Sequence, residues 1–181
     1  PLRVPRPVFH FVISKFIRSA RANQNITISN NVFQDYFSAT SNSNAILLAE
    51  GCNQWTISGN RFLQSAPRVA TATASHRVIE LAQVSGAGAE NIQIQGNVIG
   101  FAAVDETGVY ALSGPLNFCA VYLNGRSNGL RNIVKSNRIT AIALDTTNNG
   151  TASSVPFSAV LIVQSGALVE DNDIGSQTAI D

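Results

Sequence analysis

Short stretches of alternating apolar and polar residues recur along this chain. Five segments superpose on a central asparagine, with an apolar residue three positions before it and another two positions after it. The central residues are Asn31, Asn60, Asn97, Asn137 and Asn172. Alternation of inward and outward side chains is typical of a β-strand. Each segment therefore predicts a short strand, a bend of about two residues and a second short strand.

The residue before each asparagine is mostly of a type that tolerates a left-handed backbone. The five residues are Asn30, Gly59, Gly96, Ser136 and Asp171. Glycine adopts a positive φ without steric cost, and asparagine and aspartate do so more readily than other residues. A tight corner is therefore predicted between the two strands of every repeat.

A further β-rich run lies upstream of four of these segments, at residues 45–48, 78–81, 120–123 and 159–163. The unit Asn-x-x-Ile-x-x-Asn-x-Ile/Phe resembles the parallel β-helix repeat of pectate lyase-like proteins, phage tailspikes and many bacterial surface proteins, and the resemblance covers residues 23–181. It implies an all-β fold, a right-handed single-stranded parallel β-helix (solenoid) of about five coils. In such a fold the five central asparagines stack into a ladder of side-chain amides.

The segments between the repeats vary in length. Loops of different length are expected at residues 38–44, 65–75, 105–117 and 145–156. All four lie between the same two strands, so we expect them on one side of the molecule.

Residues 1–22 are set apart from the repeat domain of residues 23–181 and allow two interpretations. Their apolar residues would line one face of a helix, which would cap the end of the stack. Alternatively, residues 16–20 align with residues 45–49 and predict a strand, which we favour. At the other end no amphipathic segment follows the last repeat.

Composition narrows the range of partners. The net charge is +1 and no Lys/Arg-rich run is present, so binding to nucleic acid is not expected. No stretch of 18 apolar residues predicts a membrane span. Cys52 and Cys119 fall two repeats apart, which is too far for a disulfide, and are predicted to be free and mostly buried.

Resemblance to polysaccharide lyases and galacturonases would imply clustered or paired Asp residues. Adjacent repeats carry no acidic residues at matching outward positions. Lys135–Glu170 and Arg138–Asp173 are instead predicted as ion pairs between repeats. Residues 105–106 are expected in a solvated loop, and neither His10 nor His76 has a partner at the spacing of a metal site or a nucleophile. No catalytic residue, metal site or cofactor is therefore assigned.

One outward face is regularly polar on the first three repeats. Its residues are Thr27, Ser29, Thr56, Ser58, Gln93 and Gln95. Such a grid of hydroxyls and amides could bind a sugar chain, although a solvated sheet face explains it as well. The pattern ends at Ile133 and Leu168 in the next two repeats.

The sequence favours a non-catalytic structural or adhesive module of an extracellular or surface assembly, such as a fibre, filament or spike. Low charge and an uncapped end are the basis, because a solenoid end presents unpaired backbone groups. Its partners would be further copies or neighbouring β-helix segments, with polysaccharide as another candidate. The alternative is a carbohydrate-active enzyme of the lyase or glycoside hydrolase type, or a carbohydrate-binding β-helix.

Overall fold

A computed structural model describes residues 17–19, 23–48, 51–82, 90–124, 130–149 and 155–175. Every regular element in these ranges is a β-strand, and all pairs of strands are parallel. The prediction of an all-β protein with parallel strands is confirmed. The described ranges contain no helix that is long and apolar enough to cross a membrane.

The strands form four sheets. Sheet 1 contains, in spatial order, β1 Ile17–Ser19, β4 Ser43–Leu48, β8 Ala74–Ala82, β12 Leu116–Asn124 and β16 Phe157–Ile162. Sheet 2 contains β2 Thr27–Ser29, β5 Thr56–Ser58, β9 Gln93–Gln95, β13 Asn132–Lys135 and β17 Ala167–Glu170. Sheet 3 contains β3 Val32–Gln34, β6 Arg61–Leu63, β10 Val98–Ile99, β14 Arg138–Ile139 and β18 Asp173–Ile174. Sheet 4 contains β7 Arg68–Val69, β11 Tyr110–Gly114 and β15 Ile142–Thr146.

The chain passes through the sheets in the same order in successive repeats: sheet 2, sheet 3, sheet 4 where it has a strand, and sheet 1. Residues one repeat apart therefore occupy equivalent positions on neighbouring strands. One such row is Ile28, Ile57, Ile94, Val134 and Val169 in sheet 2. A second row is Phe33, Phe62, Ile99, Ile139 and Ile174 in sheet 3. Most of these side chains are fully buried and form the core.

Sheet 4 corrects the sequence prediction. The expected loops at residues 65–75, 105–117 and 145–156 contain the strands β7 and β11 and the end of β15. Tyr110 and Leu112 point into the core and alternate with less buried neighbours, as a strand requires. These regions are therefore partly strands of a fourth sheet, which packs on the core.

Residues Ile17–Ser19 form a strand that pairs with Ile46–Leu48, in the register of the alignment between residues 16–20 and 45–49. The remainder of residues 1–22 lies outside the described residues. Cys52 and Cys119 are free and buried, as predicted.

Each corner between sheets 2 and 3 uses one left-handed residue. The φ angles are 57° at Asn30, 63° at Gly59, 61° at Gly96, 53° at Ser136 and 53° at Asp171. The prediction of a left-handed residue before each central asparagine is confirmed at all five corners.

The central asparagines stand one above another and are hydrogen-bonded in series. The backbone N–H and the Nδ2 group of Asn31, Asn60, Asn97 and Asn137 donate to Oδ1 of the asparagine in the next repeat, at 2.9–3.2 Å. The Nδ2 group of Asn60, Asn97, Asn137 and Asn172 also donates to a backbone carbonyl of the preceding repeat. Each inward amide at a tight corner is therefore satisfied by its neighbours. The row also has a direction, with donors facing the later repeat and acceptors facing the earlier one.

Replacing Asn97 by alanine is expected to lower the free energy of unfolding by about 3 kcal/mol or more. The substitution removes the hydrogen bonds that Asn97 makes to the buried N–H and Nδ2 groups of Asn60 and to the carbonyl of Ile57. Asn31→Ala is the matched control at the exposed end of the row and should cost about 1 kcal/mol or less. Urea unfolding of both variants measures the difference. Equal losses would contradict the account of the ladder.

Candidate functional site

Four apolar side chains near the end of the described chain are exposed, whereas the residues at the equivalent positions of the inner repeats are buried. Phe157, Ile162, Val169 and Ile174 are 44%, 41%, 42% and 54% exposed. We call these four residues the end surface. Each pairs in register with a residue of the preceding repeat that is at most 1% exposed: Phe118, Leu123, Val134 and Ile139. The end surface therefore exposes positions that belong to the core in the inner repeats. These positions come from sheets 1, 2 and 3.

A cavity of about 540 Å³ opens beside the end surface. Ile139, Ile142, Phe157 and Ile174 line it. The loop between β10 and β11 contributes Phe101, Glu106 and Val109 to the lining. The lining is mainly apolar, so the cavity suits hydrocarbon side chains more than a charged ligand.

Glu106 holds this loop against sheet 3. Its carboxylate accepts a hydrogen bond from Arg61 NH1 at 2.6 Å and forms a second ion pair with Arg138. In the register of sheet 3, Val98 lies between the two arginines. Glu106 therefore connects two strands that are two repeats apart. The hydrogen bond from Arg61 lowers the pKa of Glu106, and Arg138 adds to this effect against the opposing influence of desolvation. Residues 105–106 lie in a loop, as expected, and Asp105 is exposed, whereas Glu106 is partly buried in its two ion pairs.

The rim of the end surface is acidic. Lys135 Nζ donates to Glu170 at 2.9 Å and lies 3.5 Å from Asp171, so the predicted Lys135–Glu170 ion pair is confirmed. Asp173 is in register with Arg138 on the neighbouring strand. Three carboxylates therefore lie on the outermost repeat, while the cations facing them belong to the repeat beneath.

Asn172 ends the hydrogen-bonded row at this surface. Its Oδ1 accepts from Asn137, but its own backbone N–H donates to no described residue. Its Nδ2 group bonds to backbone carbonyls of Val134 and Glu170. In the inner repeats the equivalent N–H is bonded to the next asparagine.

A second cluster of polar groups lies inside the core. Ser43 Oγ is 2.6 Å from Nδ1 of His76, and Nε2 of His76 is 2.6 Å from the hydroxyl of Tyr110. The Tyr110 hydroxyl is also 2.8 Å from that of Tyr36. Gln64 donates to Tyr110 at 3.5 Å. All five side chains are buried, and His76 packs between aromatic rings, 5.4 Å from the ring centroid of Tyr36 and 6.0 Å from that of Phe118.

Burial controls the protonation of this cluster. Desolvation lowers the pKa of His76 to about 3 and raises the pKa of Tyr110 and Tyr36. A contact between Ser43 and His76 matches the distance of a nucleophile and its base. Because both side chains are enclosed by core residues, we assign the cluster to packing and to satisfaction of buried polar groups. Sequence analysis found no companion for His76. Ser43 is nevertheless its register partner on the neighbouring strand of sheet 1, whereas Tyr110 lies 34 residues away on sheet 4.

The predicted polar face is formed on sheet 2. Thr27, Thr56 and Gln93 are in register, as are Ser29, Ser58 and Gln95, and these side chains are at least partly exposed. The next strands place Ile133 and Lys135, and then Leu168 and Glu170, in the same rows. The face does not adjoin the cavity at the end surface. His10 lies outside the described residues, and within the described ranges no group of three His, Cys, Asp or Glu side chains is placed to hold a metal ion.

Comparison with protein-family models, with curated proteins and with solved structures gives no match to this chain.

Glu106→Gln is expected to loosen the loop at residues 101–109, because the neutral amide keeps at most weak hydrogen bonds to Arg61 and Arg138. The loss in stability should be small, about 1 kcal/mol, since these ion pairs are partly exposed. Hydrogen exchange at the amides of residues 102–109 should nevertheless become faster. Asp105→Asn, one residue away and without a bond to either arginine, is the control and should leave exchange near wild type.

His76 predicts a dependence of stability on pH. An unfolded histidine has a pKa near 6.5, whereas the pKa of buried His76 is about 3. Between these values the unfolded chain binds one more proton, so the free energy of unfolding falls as the pH falls, by up to about 1.4 kcal/mol per pH unit. This contribution is fully present above pH 6.5 and is progressively lost toward pH 3.

Urea unfolding between about pH 7 and pH 4.5 measures this slope. His76→Gln should reduce it, even though the variant is less stable throughout, and His10→Gln is the matched control. An unchanged slope in His76→Gln would contradict the assignment of a neutral buried imidazole.

Proposed function

We propose that this chain is a non-catalytic structural or adhesive module of an extracellular or surface assembly, and that it assembles through its ends or sides. The end surface carries the proposal. It turns toward solvent the apolar rows that are buried in all inner repeats. Exposing such positions is unfavourable by roughly 1.5–3 kcal/mol for each large side chain, so covering them stabilises an assembly.

The proposed architecture is a right-handed parallel β-helix. The regular passage through the sheets and the parallel pairing of each strand with the preceding repeat support it. The hand is the one that parallel crossover connections almost always adopt. The extracellular or surface location rests on the resemblance of the asparagine-centred repeat to surface proteins and tailspikes.

The charged side chains also support a structural role. Glu106, Glu170 and Glu80 are all engaged in ion pairs with basic residues of the same sheet or a neighbouring repeat. Such pairs fix loops and strand edges to the stack. The competing carbohydrate-active enzyme would need carboxylates that meet a substrate, for which Asp105 and Asp173 are the candidates to test.

Sedimentation and negative-stain microscopy of the purified protein test the proposal. We expect particles larger than a monomer whose proportion rises with protein concentration, together with no cleavage of acidic polysaccharides. A compact monomer that cleaves a polysaccharide, and that loses this activity in Asp105→Asn or Asp173→Asn, would overturn the proposal in favour of the enzyme.

A further inference from the structure

Two tripeptides of the chain have the form Asn-x-Ser/Thr, which is the acceptor motif for N-linked glycosylation in secreted proteins. They are Asn25-Ile26-Thr27 and Asn149-Gly150-Thr151. The first lies entirely within the described residues, whereas residues 150 and 151 lie outside them. None of the five central asparagines has the motif, because an apolar residue of sheet 3 stands two positions after each of them. The motif and the hydrogen-bonded row in the core therefore use different asparagines.

Asn25 occupies a corner between sheets 1 and 2. Its φ of 59° is left-handed, and Gln54 and Asn91 occupy the equivalent corners of the next two repeats with φ angles of 58° and 54°. The backbone N–H of Asn25 donates to the carbonyl of Asn53 at 3.3 Å, and that of Gln54 donates to the carbonyl of Glu90 at 3.0 Å. Asparagine tolerates this conformation better than most residues do. The corner is therefore fixed by backbone hydrogen bonds, and Asn25 itself is exposed.

The side chains of the Asn25 motif are not engaged elsewhere in the fold. Neither the amide of Asn25 nor the hydroxyl of Thr27 makes a hydrogen bond to a described residue, and all three residues of the motif are exposed. By contrast, Asn42 and Asn44 are bonded through their side chains to residues of the next repeat. Glycosylation requires the asparagine amide and the hydroxyl residue two positions later together on an accessible surface segment. Residues 25–27 meet this requirement.

We propose that Asn25 is a site of N-linked glycosylation. The donor is a lipid-linked diphospho-oligosaccharide, and a separate transferase catalyses the step. A bond forms between Nδ2 of Asn25 and the anomeric carbon of the first sugar, while the bond from that carbon to the diphosphate oxygen breaks. The lipid diphosphate leaves with the bonding electrons, and Nδ2 loses one proton to a base of the transferase. The inference rests on the extracellular or surface location in the proposed function and adds to it a modification at one defined corner.

The neighbouring face of sheet 2 suits a glycan at this corner. Its first three strands present two uncharged rows in register, which are Thr27, Thr56 and Gln93, and Ser29, Ser58 and Gln95. None of these six side chains makes a hydrogen bond to a described residue. The first sugars on Asn25 would therefore lie beside hydroxyls and amides that have unused donors and acceptors. A glycan there would also keep this face out of contacts between the sides of neighbouring molecules.

Mass spectrometry of the protein isolated from its natural source tests the proposal. Trypsin releases residues 22–61 as one peptide, in which Asn25 is the only asparagine with the motif. Asn149 falls in a different peptide, which begins at residue 139. Peptide N-glycosidase converts a glycosylated asparagine to aspartate and so identifies the modified residue. We expect a glycan on Asn25, and a peptide of residues 22–61 without any glycan would overturn the inference.

Variants secreted from cultured eukaryotic cells test the role of the motif and of the corner. Thr27→Val removes the hydroxyl at an exposed position and should abolish the glycan on Asn25, whereas Thr27→Ser should keep it. Gln93→Thr is the matched gain-of-function variant, because it gives Asn91 the same motif at the equivalent left-handed corner. We expect this variant to carry a second glycan, on Asn91. Circular dichroism confirms that each variant is folded.

The outcomes separate this inference from the proposed function. A glycan that persists on Asn25 in Thr27→Val, or a Gln93→Thr variant that is modified at Asn91 but not at Asn25, would overturn the inference. Protein without a glycan on Asn25 that still assembles into particles larger than a monomer would overturn the inference alone. A glycosylated compact monomer that cleaves a polysaccharide would confirm the site at Asn25 and overturn the proposed structural function.

Discussion

The hydrogen bonding of inward amides at one corner is the interaction on which the rest of the structure depends. A sharp bend between two strands of two to four residues turns polar groups toward an apolar interior. Asn60, Asn97 and Asn137 satisfy these groups by bonding to the repeats on both sides. Once the corner is fixed, the apolar residues three before and two after it fall into rows, and the register of sheets 2 and 3 follows. A shift of one residue would turn every inward side chain outward.

The same interaction gives the stack a direction and makes its ends differ. Each inner repeat completes the hydrogen bonds and the apolar packing of the repeat before it. Val169 and Ile174 lie on the last described strands of sheets 2 and 3, where no further described strand packs on them, and both are exposed.

Much of this architecture could be predicted from the sequence, because the repeat itself carries the information. The spacing around each central asparagine specified the corner, its left-handed residue and the two apolar rows. Sheet 4 was missed because Tyr110–Gly114 begins 13 residues after Asn97 whereas Ile142–Thr146 begins only five after Asn137, so the two strands do not share one spacing from the corner. Their common Ala-Leu and the alternation at Tyr110 and Leu112 are a signal for the pairing. Ser43 and His76 are in register on sheet 1, and the alignment of residues 45–48 with 78–81 is a signal for that contact. The contacts of Tyr36 and Tyr110 with this pair and the Glu106 bridge could not be predicted, because they join non-equivalent positions of different repeats. The exposure of the end surface needed coordinates, since the sequence of the last repeat is as apolar as the others at these positions.

The central claim is that the hydrogen bonds between the central asparagines hold neighbouring repeats in register. Hydrogen exchange at the backbone amides of Asn60 and Asn137, compared between the wild type and Asn97→Ala, tests it most directly. The account predicts that the Asn60 amide, which donates to Asn97 Oδ1, loses its protection in the variant, whereas the Asn137 amide, which donates to Asn172 Oδ1, keeps more of it. An Asn60 amide that is equally protected in both proteins would contradict it.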